Sequence, residues 1–197
     1  MKIVYLDLKN VTDKVLEGAF FVMSEERRKK CTEFKNPDDR KRCIAADMLA
    51  REVISEETGI PAEEIVFGTD GNGKPFVENG NVYFNVSHSA HYVAAAVSKE
   101  CEVGIDVECF RPVSGSVTRY FCSEKDIRFI FGSSPTETDK KITEPEILER
   151  FFRVWCFKEA YFKKTGEGIG KHACLISYEE QPKKEILLPD GIIVATE

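Results

Sequence analysis

Two acidic residues in an otherwise apolar segment, Asp106 and Glu108, point most directly to chemistry. They alternate with Val103, Ile105 and Val107, so a strand would bury the apolar side chains and place both carboxylates on the opposite face. Residues two apart along a strand are separated by roughly 7 Å, because each residue rises about 3.3 Å. Both carboxylates can then converge on one hard cation, and Mg²⁺ typically accepts one or two carboxylates plus substrate phosphates. The segment predicts a magnesium site.

A second segment with chemical potential contains Glu159 between Lys158 and Lys163 in an aromatic stretch. Burying a carboxylate in such a helix is costly without a partner. A third metal ligand at Glu159, beside phosphate-binding lysines, explains the arrangement. Trp155 in the same stretch is, taken alone, a core residue.

Hydrogen-bond donors cluster where another predicted strand ends, at Ser87, His88 and Ser89. An imidazole and two hydroxyls can all donate to a phosphate. A surface or capping cluster is the alternative interpretation. Similarly, Lys74 and Pro75 follow the turn signal of residues 70–73 and by themselves indicate only a turn and an ordinary lysine.

The charge is uneven along the chain. The net charge of −6 argues weakly against nucleic-acid binding, yet residues 24–42 carry eight basic side chains against five acidic ones. One interpretation is a solvated helix face laced with opposite charges. The other is a site for an anionic small molecule or an acidic protein.

Caps and breakers predict the helices that must position these side chains. On the second of them, Cys43, Ala46 and Ala50 share a buried face with Val53 and Ile54, which leaves Arg40 and Arg51 on the surface. The four predicted helices are Ser24 to Phe34, Pro37 to a stop at Gly59, Ser123 to Phe131, and one from a Thr143–Glu146 capping box to a stop at Gly166.

Alternation and short apolar runs predict the strands, with the Val103 strand completing an antiparallel set begun by the two before it. Residues 132–141 are polar and predicted to form a mobile surface loop. The order is helices then antiparallel strands, twice, which favours an α+β fold and leaves a duplicated architecture open. The predicted strands are 82–86, 92–97, 103–107, 173–178, 185–188 and 192–195.

Length and composition bound the remaining possibilities. A chain of 197 residues suits one large domain or two small halves. It contains no run of 18 apolar residues and no signal peptide, which argues against a membrane protein. Its seven cysteines are scattered without a C-x-x-C pair, so reduced thiols and a cytoplasmic location are expected.

Four motifs occur in a familiar order: Gly73-Lys74-Pro75, Asn85 to Ser89, Gly104 to Glu108, and Trp155-x-x-Lys158-Glu159-Ala160-x-x-Lys163-x-x-Gly166-x-Gly168. Over roughly residues 20–180 the chain resembles the 4′-phosphopantetheinyl transferases of the holo-acyl-carrier-protein synthase superfamily. Within this family it resembles the larger pseudo-dimeric type that activates nonribosomal peptide and polyketide synthases. It implies two similar α+β halves, each with helices on a small antiparallel sheet, and a coenzyme A site at their interface. We predict halves at 1–110 and 111–197.

The resemblance also implies a role for each motif residue. Asp106, Glu108 and Glu159 would hold Mg²⁺ against the pyrophosphate of coenzyme A. Ser87, His88, Lys74, Lys158 and Lys163 would grip phosphates, with Lys158, Lys163 and His88 neutralising charge during the reaction. Arg27, Lys30 and Arg40 would reach the 3′-phosphate, while Pro75 and Ser89 would line the nucleotide pocket.

The implied reaction transfers phosphopantetheine from coenzyme A to a serine of an apo acyl or peptidyl carrier protein, releasing adenosine 3′,5′-bisphosphate. Glu159, directly or through a metal-bound water, is the candidate base. A monomer is expected, without nucleic-acid or membrane partners, and a shorter second sheet is expected because longer members continue beyond the position of Glu197. Two rivals remain: a coenzyme A-binding or carrier-docking module without chemistry, and an unrelated Mg²⁺-dependent nucleotide hydrolase.

Overall fold

The computed structural model describes residues 1–132, 140–170 and 172–197. It contains two compact units, Met1–Val103 and Gly104–Glu197, called unit 1 and unit 2 below. The division falls before the strand with Asp106 and Glu108, earlier than the predicted boundary after residue 110. Most of the polar segment predicted at 132–141 lies outside the described residues.

Unit 1 packs helices on a three-stranded antiparallel sheet of order β1-β5-β4. The longest helix, α3, covers the sheet through Val53, Ile54 and Ala46, which belong to one apolar core with Phe84 and Val93. The elements are β1 (Lys2–Asp7), α1 (Asp13–Val22), α2 (Glu25–Glu33), α3 (Pro37–Thr58), β2 (Phe67–Thr69), β3 (Pro75–Val77), β4 (Tyr83–Ser89) and β5 (Tyr92–Ser98).

Local signals in unit 1 act as predicted. The Ser24 side chain accepts a hydrogen bond from the backbone N–H of Arg27, which caps α2. The Asn36 side chain caps α3, and that helix ends at Gly59, whose φ of 79° is the left-handed conformation that glycine adopts readily. Arg51 differs from its predicted surface position: it is buried, and its Nε donates to Asp47 Oδ2 at 2.7 Å.

Unit 2 repeats the plan, with a sheet of order β6-β10-β9 and one long helix packed on it. The helix α6 buries Phe152, Cys156 and Phe157 against Ile192 and Val194 of β10. The elements are β6 (Gly104–Cys109), β7 (Val113–Ser114), α4 (Thr118–Phe121), α5 (Glu124–Phe131), β8 (Lys141–Ile142), α6 (Pro145–Thr165), β9 (Lys184–Leu188) and β10 (Gly191–Thr196).

Three predictions for this part of the chain were wrong. First, β6 does not extend the β4-β5 set but pairs with β10, because its partner lies at the far end of the chain. Second, the segment 173–178 forms two short 3₁₀ turns, Ala173–Leu175 and Tyr178–Glu180, instead of a strand. Third, Glu144 caps α6 without a side-chain bond, whereas the capping box forms at α5, between Ser123 and Asp126.

The repeated α+β architecture is confirmed. In each unit a first strand precedes the helices, and a later antiparallel hairpin pairs with it through its second strand. The predicted starts and ends of α2, α3 and α5 are also confirmed. Within the described residues, no helix combines the length and apolar character needed to cross a membrane.

Candidate functional site

A glycine lets helix α6 approach the carboxylate face of β6. Gly104, Asp106 and Glu108 alternate along the strand and therefore share a face. A Cβ atom built on Gly104 would lie 1.8 Å from the carbonyl oxygen of Ala160 in α6. The missing side chain thus permits backbone contact, and it brings Glu159 and Lys163 of the helix close to the acidic strand.

Asp106 and Lys163 form the centre of this arrangement. The Lys163 Nζ donates to Asp106 Oδ1 at 2.6 Å, and the Asp106 residue is only 4% exposed. A carboxylate this buried needs a positive partner, since desolvation strongly disfavours an isolated charge. Two of the predicted site residues are therefore brought together, from two elements of unit 2.

Glu159 belongs to the same acidic cluster. Burial raises the pKa of its carboxyl group above the usual range, and the nearby charges of Asp106 and Glu108 raise it further, while Lys163 lowers it. The charges of Asp106 and Glu108 both act on Glu159, so both lie near its carboxyl group. Such a group takes up a proton or a cation readily.

Glu108 also contacts a residue that sequence reasoning did not select. Arg111 Nη1 donates to Glu108 Oε2 at 2.8 Å, and the Arg111 guanidinium lies 5.3 Å from the centre of the Phe152 ring. This pair raises the pKa of Arg111 through its bond to Glu108. The spacing of three residues was the only available signal for this contact.

Lys158 has a different position from the one implied by its motif. Its side chain is fully buried, and Nζ donates to Ala173 O at 2.7 Å and to Ile176 O at 2.5 Å. Its third contact is Asp126 Oδ2, at 2.8 Å. An ammonium group has three protons, so these partners account for all of them. The structure thus encloses the Lys158 ammonium group between two carbonyl oxygens and a carboxylate, and its contact with a phosphate stays a prediction.

In unit 1, the donors of β4 lie on two faces. His88 is exposed and shares the face of Phe84 and Val86, which is the face toward α3. Ser87 is buried and Ser89 half-buried, and both alternate onto the opposite face. The structure therefore separates the imidazole from the two hydroxyls, instead of grouping all three on one side of the strand.

Lys74 follows the turn that the sequence predicted. Asp70 N donates to Lys74 O at 2.9 Å, and Gly73, with φ of 85°, completes the turn. The Lys74 ammonium group, which is largely buried, forms an ion pair with Glu102. A phosphate ligand would thus share this lysine with a neighbouring carboxylate.

Arg27 and Pro75 line the same cavity of about 140 Å³ in unit 1. Its walls include the aromatic rings of Phe67 and Phe84, whose centroids are 5.1 Å apart. At the floor, Asp47 Oδ1 lies 3.4 Å from the Arg27 Nε and holds this partly exposed guanidinium. The cavity thus places two aromatic rings beside a cation that is held by an ion pair.

The other predicted basic residues lie elsewhere in unit 1. Lys30 is exposed on α2. Arg40 is exposed on α3, with its guanidinium 5.2 Å from the centre of the Phe20 ring, and it lines a separate cavity between α1 and α3. The structure therefore brings Arg27 to the cavity with Pro75 but not Arg40.

Sequence reasoning missed two buried acids that support these sites. Asp47 holds Arg27 and Arg51, and Asp126 holds Lys158. The i, i+4 spacing of Asp47 and Arg51 on one helix was a usable signal. Asp126 lies 32 positions before Lys158 in sequence, so no local pattern could have paired them.

Comparison with known proteins gives consistent matches along the chain. A family model described as "4'-phosphopantetheinyl transferase, N-terminal" matches residues 10–100, and one described as "4'-phosphopantetheinyl transferase superfamily" matches residues 102–190. The boundary between the two matches agrees with the division between unit 1 and unit 2.

Individual relatives match across most of the chain. It is 33% identical to 4'-phosphopantetheinyl transferase psf-1 of Bacillus pumilus over 188 residues, covering 94% of this chain and 76% of that protein. It is 28% identical to 4'-phosphopantetheinyl transferase Sfp of Bacillus subtilis, covering 84% and 70% respectively. It is 32% identical to 4'-phosphopantetheinyl transferase HetI of Nostoc, covering 79% and 65%.

Proposed function

Because this chain belongs to the 4′-phosphopantetheinyl transferase superfamily, we propose that it transfers phosphopantetheine from coenzyme A to a serine of an apo acyl or peptidyl carrier protein. The observation that carries the proposal is the cluster of Asp106, Glu108 and Glu159 with Lys163 in unit 2. Three acids and one lysine at a helix–strand contact have no evident purpose in packing. They suit a reaction on phosphate groups.

The three acids fit the Mg²⁺ that the family implies. All offer carboxylate oxygens, which are the ligands this ion prefers. Burial raises the pKa of Glu159, and the charges of Asp106 and Glu108 raise it further; a cation bound near these acids would offset that repulsion. When bound, Mg²⁺ supplies neutralisation of the charge on phosphate oxygens during the transfer.

Glu159 has the properties of the base. The serine oxygen forms a bond to the phosphorus next to pantetheine, the bridging P–O bond breaks, and adenosine 3′,5′-bisphosphate leaves. The serine proton passes to the Glu159 carboxylate, which accepts it more readily because its pKa is raised. Lys163 lies beside Asp106 and supplies positive charge for the phosphate oxygens.

Side chains of unit 1 would bind the remaining anionic groups of coenzyme A. Ser87, His88 and Lys74 are proposed to donate to phosphates, as the resemblance implies. Arg27 is proposed to contact the 3′-phosphate, because Asp47 fixes its guanidinium at the cavity that Pro75 and the two phenylalanine rings line. Lys30, Arg40 and Ser89 stay weaker candidates for contacts with the nucleotide.

A cytoplasmic monomer is the proposed working form. The buried cysteines Cys31, Cys43, Cys122 and Cys156 are free thiols, and burial raises the pKa of Cys31 to about 12. Such thiols are poorly reactive and are typical of a reducing compartment.

Intact-mass spectrometry tests the proposed function. The chain is incubated with coenzyme A, Mg²⁺ and each member of a panel of apo acyl and peptidyl carrier proteins. We expect one phosphopantetheine added per carrier, and none on a carrier whose acceptor serine is replaced by alanine. No addition to any carrier, with coenzyme A binding intact, would favour a binding module instead.

A further inference from the structure

We propose that the buried ion pair Asp126–Lys158 is a positioning device for the acidic cluster, which sets the rotation of α6 and so the placement of Glu159 and Lys163. The inference rests on the proposed function, since it assigns work to those two residues. It replaces a direct phosphate contact by Lys158 with an indirect role, and it adds Asp126, which no motif contains.

The pair joins three parts of unit 2 at one point. Asp126 Oδ2 accepts from the Ser123 N–H at 2.8 Å and from Lys158 Nζ at 2.8 Å, while Oδ1 accepts from the Tyr178 N–H at 2.9 Å. Lys158 in turn donates to Ala173 O and Ile176 O. The start of α5, the middle of α6 and the turns at 173–178 are thereby fixed to one another.

Both charged groups are fully buried, so the pair has a large penalty if it is broken. The side chains of Asp126 and Lys158 are each 0% exposed. Apolar residues of similar volume are often neutral or stabilising in place of such a pair. A contribution to stability therefore does not by itself account for a buried ion pair at this place. The alternative is that the pair fixes the orientation of α6.

Helix geometry connects the pair to the acidic cluster. With 3.6 residues per turn, Glu159 projects about 100° and Lys163 about 140° from Lys158 around the axis. Lys158 therefore points away from the face of α6 that meets β6 at Gly104. Fixing Lys158 on the far side fixes the direction of Glu159 and Lys163 on the near side.

Small changes in the direction of Glu159 and Lys163 would lower the reaction rate. A displacement of about 1 Å in a reacting group can cost on the order of a hundredfold in rate. Without the pair, α6 keeps its apolar packing and its ion pair between Arg153 and Glu185, but it loses the directional charged hydrogen bonds on the side that Lys158 occupies. We therefore expect loss of metal affinity and turnover before loss of the fold.

A double-mutant cycle tests the inference with Lys158→Met, Asp126→Asn and the two combined. The probes are Mn²⁺ affinity with coenzyme A present, read by electron paramagnetic resonance, and kcat and KM per folded molecule. We expect each single change to weaken Mn²⁺ about tenfold and lower kcat at least thirtyfold. The double variant should lose no more than the worse single one, because both changes break the same contact.

The double variant also keeps the test usable if a single variant does not fold. Either single change leaves a buried charge without its partner, whereas the combination leaves none. If only the double variant folds, its Mn²⁺ affinity and kcat decide the matter. Arg153→Met is the matched control: it removes the ion pairs of Arg153 with Glu149 on α6 and with Glu185 on β9, and it should leave both probes within threefold.

Contrary results are distinct. Folded variants with Mn²⁺ affinity and kcat within threefold of the unaltered chain would limit the pair to a structural role. Additive losses, with KM for coenzyme A raised by Lys158→Met alone, would restore a direct phosphate contact. If the unaltered chain binds Mn²⁺ but modifies no carrier, the proposed function fails. The Mn²⁺ affinities of the variants then still test whether the ion pair positions Glu159 and Lys163. Absence of Mn²⁺ binding by the unaltered chain would overturn this inference and the metal site together.

Discussion

Unit 1 and unit 2 use the same sheet order but place polar side chains on different strands. The register of β1 with β5 matches that of β6 with β10, so Val4 corresponds to Asp106 and Leu6 to Glu108. In unit 1 these positions pack against the apolar core. In unit 2 the same positions carry the carboxylates of the candidate metal site.

The reverse holds for the first strand of each hairpin. By the same register, Ser87 and His88 of β4 correspond to Ile186 and Leu187 of β9. Unit 1 thus has donors where unit 2 has apolar residues, and unit 2 has acids where unit 1 has apolar residues. One sheet order thus accommodates carboxylates on the edge strand β6 in unit 2 and hydrogen-bond donors on the edge strand β4 in unit 1.

The largest expected effect on kcat comes from removing one of the carboxylates of unit 2. Glu159→Gln keeps the size of the side chain but removes a ligand charge and the proposed base. We expect kcat to fall by about 10²–10⁴, the usual contribution of general base catalysis. Carrier modification measured by mass spectrometry gives the rate, with the exposed Glu167→Gln as control. A loss of less than about tenfold, or roughly 1.4 kcal/mol, would remove Glu159 from its proposed role.

Moving an acid to the corresponding place in unit 1 should disrupt that unit. Val4→Asp puts a carboxylate against an apolar core with no cation beside it, so we expect a loss of about 2–4 kcal/mol in the free energy of unfolding. Tyr5→Asp is the control, since Tyr5 alternates onto the other face and is exposed. Urea denaturation compares them. Equal losses for both variants would mean that the two faces of β1 do not differ as described.

The close approach of α6 to β6 is the next test. In Gly104→Ala the new methyl group would collide with the backbone of Ala160, so α6 must shift, at a cost of about 1–3 kcal/mol. We expect lower stability and weaker Mn²⁺ binding together. Gly71→Ala is the control because no atom lies within 4 Å of a Cβ built there. Unchanged Mn²⁺ affinity in a destabilised Gly104→Ala variant would separate the metal site from this contact.

A smaller effect, on the affinity for coenzyme A, should distinguish the roles of two arginines of unit 1. Arg27→Ala removes the cation at the cavity with Pro75, whereas Arg40→Ala removes one that stacks on Phe20. We expect Arg27→Ala to weaken coenzyme A about tenfold more than its dephospho form, because arginine–phosphate contacts are strong and directional. Arg40→Ala should affect both ligands equally. Calorimetric titration gives the affinities, and the opposite pattern would assign the 3′-phosphate to Arg40.

Local signals were enough to predict much of this structure. Caps such as Ser24 and Asn36, and stops such as Gly59, act through neighbouring residues, and the helix ends predicted from them are confirmed. The four motifs also identified the family, which the comparisons confirm. The α+β class with two similar halves followed from the same resemblance and is confirmed.

Partners that are distant in the chain were beyond sequence reasoning. The pairing of β6 with β10 and the burial of Lys158 against Asp126 depend on contacts between remote segments. The strand Lys2–Asp7 was not predicted, because its apolar residues form a short run without the alternation typical of a half-buried strand. The segment 173–178 is apolar enough for a strand, but its carbonyls at Ala173 and Ile176 bind a buried lysine instead.

The smallest effect concerns the stability of the metal-free chain. The raised pKa of Glu159, caused first by burial and then by Asp106, means that the ionised carboxylate is less favourable in the folded state than in the unfolded one. Above the raised pKa this penalty is complete. It shrinks as the pH falls through that pKa, and it disappears below the unfolded value of about 4.3, where the group is protonated in both states.

Glu159→Gln should therefore raise the midpoint of thermal unfolding slightly at pH 7 in EDTA, and the gain should vanish toward pH 4. Glu167→Gln should show neither effect, since it is exposed beyond the end of α6. Adding Mg²⁺ with coenzyme A should reduce the difference in unfolding midpoint between Glu159→Gln and the unaltered chain. The cation offsets the repulsion only in the chain that keeps the charge of Glu159. A gain that grew toward low pH would mean that the ionised Glu159 stabilises unit 2. The acids of unit 2 would then carry no stability cost relative to the apolar Val4 and Leu6 of unit 1.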